Sequence, residues 1–553
     1  MPRPVHRLSV LATAVIARVG ALVIARVRAL VGARDRALVP AALLLCMLAL
    51  VPTIAHASEA ARASTTDPLS QGIVAATIVL LFVLLAREAA HRVLIVLGAA
   101  SLLWGITYLT PFHLITFERA WVAVDLNVLL LLGSMMAVVA VLKATGFFAW
   151  AVGTLMNRAA GEPRRVQNLV AWFTAATSAF LDNVTTVIFV TPMATAMSAR
   201  LGLAPAAILL PMVIASNIGG TATLIGDPPN IMIGSGAGLS FLDFLEVLAA
   251  PVIVMVIAVQ VYSARVYATA LDGAVPPGGA FVAEPPPTPT DPLLLRWMTG
   301  ICLFILLGFL THAATGMPPA IPAVIGATAA LIVQDVLYLR RHRPTHDERT
   351  HGILHVIERD IEWPTLCFFF FLFIVVGAAV ETGLIGSVAH GLEATISGTS
   401  RALSLGDSGT LLFAALLICW VSAILSAFID NIPYVAVSIP IVMALTRALP
   451  GDTQVLWWAL SLGACLGGNG TAVGASANVT TIGLAEKEGV RIGFSEFMRF
   501  GFPAMVISVT IASIFLSLHV LLGEGRARVA GWLVAVPLLL WTLLAARAKR
   551  RRA

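Results

Sequence analysis

Charge is what this chain has least of. Only 12% of its 553 residues are Asp, Glu, Lys or Arg, about half the share in an ordinary soluble domain. Cysteine is scarce too: Cys46, Cys302, Cys367, Cys419 and Cys465 stand far apart in apolar segments. That spacing excludes a disulfide framework and a zinc site and leaves small buried hydrophobes as the reading. No HExxH, paired His cluster or Ser/His/Asp set is embedded at a consistent depth, which argues against an enzyme, and no cofactor is expected. The Gly-rich run 467–474 lacks the Lys-Ser/Thr ending of a phosphate loop and lies in an apolar segment.

What fills the chain is apolar: 59% hydrophobic, mean hydropathy +0.94. The excess comes in runs of roughly 18–25 residues, the length that crosses about 30 Å of hydrocarbon as a helix. The runs lack the alternation of barrel strands. The fold class is therefore an all-α, multi-pass membrane protein. Spans are predicted at 70–86, 92–110, 126–146, 244–264, 294–312, 319–339, 364–383, 498–520 and 529–546. Between them lie hairpin segments at 168–198 and 408–446 and interrupted segments at 204–234 and 454–485.

The formal charge of +6 does not point to nucleic acid. The basic residues sit in short loops and the tail Arg547–Arg552, the positive-inside pattern of an inner-membrane protein. The assignment puts Arg87, Arg92, Arg164, Arg165, Arg200, Arg265, Arg340, Arg359, Lys487 and Arg499 inside. Arg119, Arg401, Arg447, Arg526 and Arg528 remain outside. The bias holds only if both hairpins are re-entrant and return to their own side.

Residues 1–57 carry repeated Arg, an apolar run and Ala55-His56-Ala57, a signal-peptide pattern or an N-terminal hydrophobic extension. Residues 271–293 are Pro-rich and read as a cytoplasmic linker. It separates a first repeat, 58–270, from a second, 294–528, with a last helix and basic tail at 529–553. The His-containing loop within 340–363 reads as solvated, with an interfacial helix over 353–361. Trp457 and Trp458 read as an interfacial aromatic belt and Lys143 as a snorkelling side chain; Glu381 reads as a helix-end residue, with a cavity contact as its lesser alternative.

Internal repetition is the most informative feature. Ser178-Ala-Phe-Leu-Asp182-Asn183 recurs as Ser426-Ala-Phe-Ile-Asp430-Asn431, an offset of 248 residues. Pro192/Pro440, Gly219/Gly467, Thr223/Thr471, Gly226/Gly474 and Asn230/Asn478 keep that offset. By the charge assignment the equivalent spans run in opposite directions, so the repeats are inverted. Inverted repeats with interrupted helices place a substrate and coupling-ion site at the midplane.

Candidate site residues are the polar groups in these apolar surroundings: Ser178, Asp182, Asn183 and Thr185 in the first hairpin and Ser426, Asp430 and Asn431 in the second. The breaks add Asn217, Thr223, Asp227 and Asn230, and Asn469, Thr471, Ser476 and Asn478. Gly lets the backbone leave helical geometry, and Pro228 and Pro229 forbid its continuation. Asp182, Asp430 and Asp227 are the main intramembrane carboxylates, able to bind Na⁺, take up a proton or cap a half-helix. Symmetry singles out Asp182 and Asp430 as the coupling pair.

At these residues the chain resembles the ion transporter superfamily, on the branch of the ArsB arsenite permeases, the NhaD-type sodium/proton antiporters and the melanosomal P protein. The resemblance runs over about 70–545 and rests on Ala215–Asn230, Gly463–Asn478 and the two Ser-Ala-Phe-x-Asp-Asn hairpins. It implies two inverted repeats, each with a re-entrant hairpin and a broken helix, and elevator-type alternating access. The break Gly226-Asp227-Pro228-Pro229-Asn230 departs from the dicarboxylate symporters' Gly-Thr-Pro-Pro-Asn by Asp for Thr. The expected activity is proton-coupled transport of sodium or of arsenite or another inorganic anion. The alternatives are a citrate-like di- or tricarboxylate symporter and a passive anion channel. The expected partners are the lipid bilayer, a small ion and a second copy of the chain in a homodimer.

Overall fold

The computed structural model describes residues 67–87, 89–274, 287–341 and 356–552. The signal-peptide reading, most of the Pro-rich linker and most of the His-containing loop lie outside them. Among the described residues every regular element is helical, and eleven helices are long and apolar enough to cross a membrane.

In chain order the α-helices are α1 Pro68–Ala86, α2 Arg92–Leu109, α3 Phe117–Ala123, α4 Leu126–Ala144, α5 Phe147–Ala159, α6 Pro163–Ser178 and α7 Asn183–Leu201. There follow α8 Ala206–Gly220, α9 Pro228–Ala237, α10 Phe241–Val266, α11 Ala268–Asp272, α12 Pro292–Thr315 and α13 Ala320–Arg341. The second repeat continues with α14 Trp363–Glu381, α15 Leu384–Ala402, α16 Asp407–Phe428, α17 Asn431–Ala448, α18 Val455–Gly467, α19 Ser476–Lys487, α20 Phe494–Leu522 and α21 Glu524–Arg552. The predicted last span, 529–546, falls within α21.

Two compact units divide the chain. One holds the described residues up to Asp125 with Cys367–Val388; the other holds Leu126–Leu366 and the residues from Ala389 on. In the first, Gln71 Nε2 donates to Thr382 O at 3.1 Å and Ser387 Oγ to Gln71 Oε1 at 3.0 Å. Glu381 there pairs with Arg119 at 3.7 Å rather than facing a cavity.

The second unit contains both hairpins and both breaks. Gln167 near the start of α6 donates to Ala207 O at the start of α8 at 2.7 Å. Further along, Gly219 of α8 meets the backbone of Ala175 of α6. Contacts that advance together along both chains mean that α6 and α8 run parallel. The intervening α7 has therefore carried the chain back to its starting side, which makes the hairpin re-entrant. The second repeat does the same: Gly463 and Gly467 of α18 lie against Cys419 and Ala423 of α16.

Contacts also agree with the charge-based sides. Lys143 pairs with Asp360 at 3.6 Å and Arg164 with Asp272 at 2.6 Å, all assigned inside. Phe241 N donates to His312 Nε2 at 3.1 Å and Ala320 N to Asn127 Oδ1 at 3.1 Å, all assigned outside. Lys143 thus snorkels only as far as an acidic partner, with its ammonium 5.5 Å from the Phe189 ring centre. Since α8 enters from inside and α18 from outside, their ends meet partway across. At about 1.5 Å per residue the 15 residues of α8 reach roughly 22 Å.

Two expectations are corrected here. Trp457 and Trp458 do not form a belt: both are buried, and Trp458 packs edge-on against Phe244 with centroids 5.1 Å apart. The run that holds them belongs to a half-helix enclosed by protein. Cys367 is exposed, whereas Cys419 and Cys465 are buried as expected. The stretches 147–159 and 384–402, which lie between the predicted segments, form α5 and α15. Each follows a glycine in left-handed geometry, Gly146 (φ 78°) and Gly383 (φ 74°).

The break glycines work differently from the expectation. None is left-handed; they permit close approach. A Cβ at Gly219 would overlap the Ala175 carbonyl, and one at its counterpart Gly467 would overlap the Ala423 carbonyl. Gly219→Ala and Gly467→Ala should each cost about 1–3 kcal/mol through overpacking, read as a lowered unfolding midpoint of the detergent-purified protein. Gly72→Ala, with open space around it, should leave that midpoint in place. Equal midpoints for all three would contradict this packing.

Candidate functional site

The site grows from the need to satisfy unwound backbone. Each broken helix has lost its ladder, and each is bridged by one asparagine from its second half. Asn230 Nδ2 donates to Thr221 O at 3.1 Å and Thr223 O at 3.0 Å, with Gly220 O at 3.5 Å. Asn478 Nδ2, 248 residues on, donates to Gly468 O at 2.8 Å and Thr471 O at 2.9 Å. The hairpin tips are tied on symmetrically: Thr223 Oγ1 donates to Ala179 O, and Thr471 Oγ1 to Ala427 O. Both asparagines and both threonines are buried.

The asparagines' remaining oxygens reach across to the other repeat. Asn230 Oδ1 accepts from Ser461 Oγ at 2.7 Å and faces Cys465 Sγ at 3.5 Å. Asn478 Oδ1 accepts from Asn217 Nδ2 at 3.0 Å, and the same Asn217 amide donates to Asn469 Oδ1 at 2.9 Å. Asn183 Nδ2 closes the chain onto Asn217 Oδ1 at 3.2 Å. One polar cluster therefore joins both breaks and the first hairpin tip. Ser461, Cys465 and Thr221, whose hydroxyl donates to Asn217 O at 2.9 Å, were not among the expected residues. Ser461 and Cys465 stand one turn apart on α18, just before the break, a spacing that could have revealed them.

The hairpin carboxylates are caps. Asp182 accepts from Thr185 N at 2.8 Å and from Thr185 Oγ1. Asp430 accepts from Ile432 N at 3.1 Å and Ser476 Oγ at 2.6 Å. Both are partly exposed. Asp227 differs. It precedes α9, yet its side chain makes no capping hydrogen bond. It is 1% exposed. Its carboxylate receives the Asn431 amide of the other repeat at 3.4 and 3.5 Å and makes no ion pair among the described residues.

The symmetry fails where the chemistry is concentrated. Asn217 corresponds to Cys465, Asp227 to Ala475 and Pro228 to Ser476. Ser426 donates to Ala464 O at 2.6 Å, but its counterpart Ser178 has no hydrogen-bond partner. Buried and also without a partner are the Asn469 amide nitrogen and the Thr186 and Thr481 hydroxyls.

Asn478→Ala would strand the Gly468 and Thr471 carbonyls and an Asn217 N–H. At about 1–3 kcal/mol for each buried unsatisfied group, it should lower the unfolding midpoint more than Asp182→Ala, a cap loss of about 0.5–2 kcal/mol. A smaller effect at Asn478 than at Asp182 would mean that the bridge is not what holds the break.

Comparison with known proteins fits this arrangement. The family model of the CitMHS citrate transporters matches residues 80–463, a stretch that includes both hairpins and the first break. An uncharacterized transporter of Mycobacterium tuberculosis is 35% identical over 450 residues, 81% of this chain and 98% of its own length. The human P protein is 30% identical over 520 residues, 80% of this chain but 59% of that longer protein. Among solved structures, the Alcanivorax borkumensis YdaH transporter aligns with a TM-score of 0.54 at 15% identity, covering 83% of this chain and 100% of that one. The last likeness is one of fold. With a family model matching 80–463 and a relative 35% identical over nearly its whole length, the chain belongs to the CitMHS family of membrane transporters.

Proposed function

We propose that this transporter is a proton-coupled inner-membrane carrier of a small anion, which it loads where the two breaks meet, with Asp227 as the proton-carrying group. The observation that carries the reading is the state of Asp227: buried, uncapped, without a basic partner, and facing Asn431 across the boundary between repeats. A carboxylate removed from water without a paired cation is costly unless a proton or a cation neutralises it. Asp182 and Asp430, singled out by symmetry, already have capping work to do.

The anion follows from which polar groups are free. The break carbonyls that would coordinate Na⁺ already accept from Asn230 and Asn478. The buried groups left unpaired include the Asn469 amide nitrogen, which can only donate, and α19 begins just after the second break, so its N-terminal dipole lies close by. A donor without a partner suits an anion. The citrate named in the family description makes a carboxylate the first substrate to try.

The test uses proteoliposomes with an imposed pH gradient and radiolabelled citrate or sodium as probes. Citrate uptake should follow the proton gradient and collapse with a protonophore. Asp227→Asn should slow gradient-driven uptake by about tenfold or more, the change that about 1.4 kcal/mol represents. Asp182→Asn and Asp430→Asn should remain gradient-dependent, because Asn also caps helices. Sodium movement without anion movement, or wild-type rate and pH dependence in Asp227→Asn, would contradict the proposal.

A further inference from the structure

A second cluster lies at the membrane face assigned outside, apart from the transport site. His519 near the end of α20, Glu524 at the start of α21 and Asp452 in the turn between α17 and α18 bring one ligand atom each within 4.8 Å of one another. His519 is 3% exposed, yet neither ring nitrogen has a hydrogen-bond partner. A buried imidazole with both nitrogens unsatisfied is rare, because each lost hydrogen bond goes uncompensated. Its ring is set edge-on against Phe515, with centroids 6.2 Å apart.

We infer that His519, Asp452 and Glu524 form a divalent transition-metal site of the zinc class, which clamps the α17–α18 turn to the α20–α21 corner. One imidazole and two carboxylates are a donor set such ions accept, usually with water completing the shell. Ligands about 2.0–2.2 Å from zinc stand about 3.3–3.5 Å from each other in a tetrahedron. The two carboxylates must therefore close in by up to about 1.5 Å. Asp452 is exposed and Glu524 half-buried, so both have room to do so.

The surrounding charges agree. Glu524 is held from behind by Arg528 at 2.7 Å, and Arg528 also pairs with Glu246. Arg528 offsets one of the two carboxylates it pairs with, and Asp452 adds another negative charge beside them, so this cluster has an excess of negative charge for a divalent cation to answer. Arg528 then orients Glu524 as an outer partner would. Asp452 also lines an open cleft with Thr446, Gln454 and Trp457, which offers an entry path.

The experiment titrates the chelator-stripped, detergent-purified full chain with Zn²⁺ alone, against a chromogenic chelator and by thermal unfolding. Histidines elsewhere in the chain can also hold zinc, so the readout is the difference between wild type and variants. His519→Gln should remove one equivalent, or weaken it by about tenfold or more, and abolish the zinc-induced rise in unfolding midpoint. Should His519→Gln fail to fold, Asp452→Asn, a change at an exposed side chain, carries the same expectation. Unchanged stoichiometry, affinity and zinc-induced midpoint shift in the variants would overturn the site.

Discussion

Two amides hold this site open as a structure. Where the broken helices unwind, Asn230 and Asn478 take up the freed carbonyls on their own side with their nitrogens and reach the other repeat with their oxygens. Irregular backbone at membrane depth is tolerated only when such groups are answered inside the protein. The other features follow from that demand. Glycines let the hairpin backbones come within reach, threonines stitch the tips to the breaks, and the two breaks must meet because each supplies the other's partners.

Duplication explains the frame, and its failures explain the chemistry. Bridging asparagines, stitching threonines and close-approach glycines obey one offset, as parts that solve the same backbone problem twice. Asn217, Asp227 and Pro228 do not; their counterparts are Cys465, Ala475 and Ser476. On the proposed reading the transported ion and the proton share one site, and a single unsymmetric carboxylate between two symmetric halves serves as the coupling device.

Much of this was legible in the sequence. Hydropathy located the spans, charge located the sides, and the offset located the breaks, because each reflects a constraint acting on every residue of a lipid-facing or repeated segment. The roles within the breaks were less legible. Symmetry pointed to Asp182 and Asp430; that both also cap helices depends on which N–H groups lie within reach, those of Thr185 and Ile432. Ser461 and the two tryptophans after Leu456 sat in a run that hydropathy reads only as apolar. Their burial depends on an enclosing shell that no local pattern encodes.

Cys465 offers the most direct test, because it lies at the meeting point of the breaks, against Asn230. With Cys46, Cys302, Cys367 and Cys419 replaced by Ala, the rate of its alkylation by a membrane-permeant maleimide would be measured in proteoliposomes, with and without citrate. The account predicts that Cys465 is labelled as the carrier cycles and that citrate slows the labelling at concentrations that saturate its uptake. Citrate uptake with an unchanged labelling rate would place the substrate elsewhere.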